Sequence, residues 1–147
     1  MTLHRAGDLR GSLVFYRRAI AAGGTSRALH YSYAAALHSL VNSHRTTRGV
    51  PMPLVRSSDE AARLSREALA EYQLAAQLAT DPRERANVLL HMGDLYRVWG
   101  LSWEAFAAYR QASALDPANE LIATRGDALM LLLEHPERHV AGDDTEN

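Results

Sequence analysis

Cysteine is missing from this chain of 147 residues, which excludes disulfide staples, thiolate catalysis and Cys-ligated zinc. Lysine is missing too. All 16 basic residues are arginine, and they are scattered rather than clustered as a bed for phosphate requires. A GC-rich coding bias accounts for that more simply than any function. The formal net charge of −1 supplies no field to draw in nucleic acid or an anionic membrane. Long apolar runs are absent: the longest, Ala128 to Leu133, falls far short of a bilayer's thickness. The segment MTLHRAGDLRG has no apolar stretch behind a basic start, so no signal peptide is expected and the chain reads as cytoplasmic. No serine nucleophile elbow, phosphate-cradling glycine loop or HExxH motif occurs. The expectation is therefore no enzyme, no catalytic residues, no cofactor and no metal.

Glycine and proline are few, at 9 and 5, and the remaining sequence is rich in Ala, Leu, Arg and Glu, which favour helix. With 47% apolar and 22% charged residues, the length suits one domain with a substantial core. Periodicity places a helix over 7–20, stopped by Gly23 and Gly24, and a second from Arg27 to about Asn42. Thr25 or Ser26 is positioned to cap the second by accepting from its free amides. Its apolar face is Leu29, Tyr33, Leu37 and Leu40. Gly49, Pro51 and Pro53 then break the pattern, predicting a loop insertion at about 43–56. Ser57-Ser58-Asp59-Glu60 reads as a capping box, and helix resumes to about Ala79 with Ala68, Tyr72, Ala75 and Ala76 inward. Asp81-Pro82-Arg83-Glu84 opens the next helix, with Asp81 capping and Pro82 where no amide partner is lost. Asp116-Pro117 repeats that device before a last helix, 118 to about 134. Residues 1–137 thus form a single helical domain, and the polar segment 138–147 is expected to be disordered.

The 34 residues from Ala86 to Asn119 are the most informative. Leu89, Met92, Gly93, Tyr96, Gly100, Ala105, Tyr109, Ala112 and Pro117 stand at a spacing that resembles one complete tetratricopeptide repeat. Weaker repeats or half-repeats flank it, beginning with Tyr16, Ala19 and Ile20 and ending with Ile122, Gly126, Leu129 and Leu132. The resemblance implies an all-α solenoid of about six antiparallel helices in a right-handed superhelix. It implies that Gly93 and Ala105 face each other where two helices cross closely.

By the same resemblance, first helices line a concave groove. Tyr31, Ala35 and His38 would project into it from one helix; Asn87, Leu90, His91, Asp94 and Arg97 from the next; Glu120, Ala123 and Asp127 from the last. Such a groove suits an extended peptide or a docked helix, and three carboxylates against one arginine favour a ligand of basic character. The Lys, Asn and Arg clamp that some members use for chaperone tails is not recognisable, since Tyr31, Ala35, Asn87 and His91 stand there. The implied function is a non-enzymatic protein–protein interaction module, an adaptor or scaffold. The alternative is a regulatory or substrate-docking segment of a larger enzyme, such as a glycosyltransferase or hydroxylase.

Among the seven histidines, His91 and Asp94 share a helix face, but two ligands do not make a metal site. His30 reads as a half-buried packing residue, and His38 and His44, on or after the same helix, as exposed. Arg45, Arg48 and Arg56 surround the loop as solvated charges. Trp99 is expected to pack beneath the turn at Gly100, with a partner anchor as the alternative if it is exposed. Leu129 to Leu133 lack a following helix to cover them, so self-association through this end, a homo-oligomer, is one expected resolution.

Overall fold

The computed structural model describes residues 6–46 and 58–135, with side chains over 9–42 and 59–135. Six helices account for nearly all of them: α1 (Ala6–Ala21), α2 (Arg27–Thr46), α3 (Ser58–Leu78), α4 (Pro82–Trp99), α5 (Ser102–Leu115) and α6 (Glu120–Glu134). No strand occurs among the described residues, so the fold is all-α. Each helix packs on the next in sequence, and the most extensive pairings are α2 with α3 and α4 with α5. These are two helical hairpins, α1 packs on the first through α2, and α6 packs on the second through α5.

The helix ends follow the local chemistry. Asp81 accepts from the amide of Arg83 at 2.9 Å, and Pro82 occupies the first turn of α4. Gly100 ends α4 at φ +89°, a left-handed conformation that glycine adopts without a Cβ penalty. Only Gly100 and Leu101 separate α4 from α5, so the two run antiparallel. Ser26 accepts from the amide of Leu29 at 3.1 Å at the start of α2.

Two boundaries differ from expectation. Helix α2 continues to Thr46, four residues into the segment expected to be loop, because no residue before Gly49 opposes helical geometry. Helix α6 is capped by Asn119, not Asp116: the Asn119 side chain accepts from the amides of Leu121 (3.0 Å) and Ile122 (3.2 Å). Asp116 instead ends α5, and its carbonyl accepts from the Asn119 amide at 3.1 Å, so a turn intervenes at Pro117-Ala118. The remainder of the expected loop, Ser57 of the capping box, Arg48, Arg56 and the 138–147 tail lie outside the described residues. So do the side chains of His44 and Arg45.

The core is one continuous cluster running through all six helices. Leu9 and Leu13 of α1, Leu37 and Leu40 of α2, and Ala68 and Tyr72 of α3 are buried. So are Leu89 and Leu95 of α4, Ala105 and Tyr109 of α5, and Ile122 and Leu129 of α6. Alanine at 34, 68, 75, 86, 105 and 112 lets the helices approach closely. The close approach at Gly93 is to the ring of Tyr109: the three atoms nearest an added Cβ all belong to that ring. Ala105, the residue expected opposite Gly93, is fully buried on the same helix pair.

A candidate ligand cleft across alternate helices

Helix α2 also touches α4 directly, so alternate helices lie side by side. Along that side opens a cleft of about 980 Å³. Helix α2 contributes Tyr31, Ala35, His38, Ser39 and Asn42, and α4 contributes His91, Asp94, Arg97 and Val98. Arg125, Leu129 and Leu132 come from α6, with Tyr72 of α3 between the first two walls. A smaller hollow of about 560 Å³ lies on the other side of α4, lined by Gln73, Gln77, Met92 and Tyr96.

One wall of the cleft is a cluster of rings. Tyr31 meets Tyr72 at 6.0 Å between centroids and His91 at 5.6 Å, while Tyr72 and His91 stack at 6.4 Å with planes 15° apart. His38 stands edge-on to Tyr72 at 5.9 Å, and its Nδ1 lies 3.0 Å from the Tyr72 hydroxyl. Burial pushes the His38 imidazole down to about 4 and the Tyr72 hydroxyl well above its usual range. Both groups are therefore neutral at pH 7, and the hydrogen bond between them joins two uncharged partners. Burial lowers the pKa of His91 as well, outweighing the opposite pull of Asp94. This wall offers flat, polarisable surface and hydrogen-bonding edges without net charge.

The rest of the lining is partly ionic. Asp94 is held from two directions: the Tyr109 hydroxyl donates to Oδ1 at 2.6 Å, and the Arg125 guanidinium donates to Oδ2. Burial first, and then the bond to Asp94, raise the pKa of the Tyr109 hydroxyl, so it remains the donor. Arg97 stands exposed beside this pair. Leu129 and Leu132 supply the apolar remainder.

The cleft brings together Tyr31, Ala35, His38, His91, Asp94 and Arg97 of the residues expected to line a groove. Asn87 stands at its margin, its amide donating to the Tyr31 hydroxyl at 3.4 Å. Leu90 does not line it: at 3% exposure it belongs to the core. Helix α4 is packed against α2, α3 and α5, so it buries residues on several faces and no single stripe separates core from groove. Glu120, Ala123 and Asp127 are exposed on α6 but do not line the cleft. Arg125, Leu129 and Leu132 take their place, since two residues of helix turn the face by about 200°.

His38 is 7% exposed, which corrects its reading as an exposed histidine. His30 is more deeply buried than expected, and its Nδ1 donates to Glu71 at 2.5 Å. Tyr72, Arg125 and Leu132 were not anticipated as lining residues. Tyr72 reads from periodicity only as core, and it is both buried and ring-stacked at the cleft's floor. The revised lining carries one carboxylate, Asp94, against two arginines, Arg97 and Arg125. Its formal charge is thus +1 rather than negative, which removes the charge argument for a basic ligand. Among the described residues no group of three or more His, Asp or Glu side chains is arranged to hold a metal ion.

No family model matches the chain, and comparison with curated proteins returned no match either.

Proposed function

We propose that this chain is a tetratricopeptide-type helical-repeat module that holds a peptide segment of a protein partner in the cleft between α2, α4 and α6. The observation that carries this reading is that the alternate helices α2, α4 and α6 supply most of the lining of one open cleft. Stacked helical hairpins produce that geometry, and an open cleft with walls drawn from three successive first helices suits an extended chain. The side chains present are those of a recognition surface. Rings of Tyr31 and His91 give rigid contact area at little entropic cost, while Arg97 supplies an exposed donor fork for a carbonyl or carboxylate. Asp94 is committed to Tyr109 and Arg125, so it acts as a fixed support and is not poised for acid–base work. Adaptor or scaffold is accordingly the role proposed, with no chemical step.

The test is selection from a random peptide display library on the purified chain, followed by titration of the enriched peptides. Ser39→Trp and Arg97→Glu, both at exposed cleft positions, are expected to weaken binding at least tenfold. Arg110→Gln, on the exposed face of α5, is expected to leave it unchanged. Enriched peptides insensitive to both cleft variants, or no enrichment at all, would reject the reading.

A further inference from the structure

We infer that a second copy of this chain docks head to tail, its α1 seated against the outer face of α6. Among the described residues, α2 with α3 and α4 with α5 form complete hairpins, whereas α1 and α6 each lack a hairpin partner. In chain order α6 occupies the first place of a further hairpin and α1 the second place of a preceding one. Each therefore presents what the other's hairpin is missing.

The exposed faces agree in chemistry. On α1, Leu9, Leu13, Tyr16 and Ile20 turn inward, and the opposite stripe is Gly11, Val14, Phe15 and Arg18. Phe15 is 66% exposed and Val14 47%, an unusual pair of large apolar side chains for solvent. On α6, Ile122 and Leu129 turn inward, leaving Leu131 at 57% exposure with Leu121 and Leu132 along one flank. Glu120, Asp127 and Glu134 follow the other flank, all exposed. The charges are of opposite sign. Helix α1 carries Arg10, Arg17 and Arg18 against Asp8, whereas α6 carries three carboxylates against Arg125 alone. Arg10 and Arg17 reach back to Glu60 and Glu67 of α3, and Arg125 to Asp94, so Arg18 and the α6 carboxylates remain on the outward faces. An apolar stripe bearing the cation Arg18 and an apolar stripe edged with three anions favour the unlike faces over α6 on α6. Such a contact is heterologous and repeats from copy to copy, giving a ring or an open row.

Sedimentation equilibrium at tens of micromolar tests this with two variants at exposed positions, Phe15→Glu on α1 and Leu131→Arg on α6. The wild type is expected to gain mass with concentration, and each variant alone to sediment as monomer. Mixed in equal amounts, the two variants restore a species of twice the monomer mass, because one retains an intact α6 face and the other an intact α1 face. Circular dichroism matching the wild type establishes that the variants are folded. A wild type that stays monomeric overturns the inference. So does association that survives Phe15→Glu while Leu131→Arg abolishes it, which would instead indicate α6 pairing with itself or a cover from residues 136–147. A mixture that remains monomeric overturns it as well.

Discussion

The ring of Tyr109 lies against Gly93, and a methyl group added to that glycine would stand 2.7 Å from its Cδ1. Tyr109 has no freedom to retreat, being 1% exposed and bonded through its hydroxyl to Asp94. Gly126 lies by the same residue's Cβ, but an added methyl there would sit 3.6 Å away, an ordinary contact. Alanine at these two positions is expected to act with opposite sign. Gly93→Ala should destabilise by about 1–3 kcal/mol, overpacking exceeding the gain in helix propensity. Gly126→Ala should stabilise by about 0.5–1 kcal/mol, since only the backbone entropy of glycine changes. Urea denaturation of both variants checks the pair.

Acidification should weaken the fold through His38. Its folded pKa of about 4 lies below the ordinary value of 6.5 because burial disfavours the imidazolium. The unfolded chain therefore takes up a proton first as the pH falls. Stability is present in full above about 6.5 and is lost as the pH drops from there towards 4. By pH 5 the loss from this residue is about 2 kcal/mol. His38→Gln retains a polar partner for Tyr72 but does not titrate. The difference in stability between pH 7 and pH 5 is expected to shrink by that amount in the variant.

Asn119 and Asp116 can be told apart by their contribution to α6. Asn119→Ala removes two bonds to free amides and is expected to cost about 1 kcal/mol. Asp116→Ala removes only a 3.4 Å contact to the Asn119 side chain and should cost less than half as much. Thermal unfolding of the two variants measures the contrast.

Asp94→Ala strands two donors at once, the Tyr109 hydroxyl and the Arg125 guanidinium. With the hydroxyl in a buried residue, the expected cost is about 1–3 kcal/mol. Glu84→Ala breaks a pair with Arg27 at 3.3 Å that is open to water, and its cost should stay within about 0–1 kcal/mol. Chemical denaturation of both variants in the same buffer decides the ranking.

The helices were legible in the sequence because their signals are local. Pro82 after Asp81, Gly100 after Trp99 and the apolar spacing of Leu37 and Leu40 act within one or two turns of chain. The groove was legible at Tyr31 and Ala35 on α2 and at His91, Asp94 and Arg97 on α4, where the repeat spacing picks out the cleft-facing positions. It was not legible at Leu90, because a central helix is covered from several directions. On α6 the lining was missed by a half-turn, because choosing the inward face requires knowing where α5 lies. His38 shows the same limit from the other side: a polar residue within an apolar run reads as solvated until Tyr72, 34 residues away in sequence, is seen to satisfy it.

Helices that touch mainly their sequence neighbours also set how the molecule comes apart. Among the described residues no substantial packing joins α1 or α6 to the distant end, so each can detach while the two hairpins between them stay intact. Amide hydrogens should accordingly exchange with deuterium in a gradient, soonest in α1 and α6 and last in α4. Unravelling of this kind proceeds inward from the margins, and the central helices guard the slowest protons.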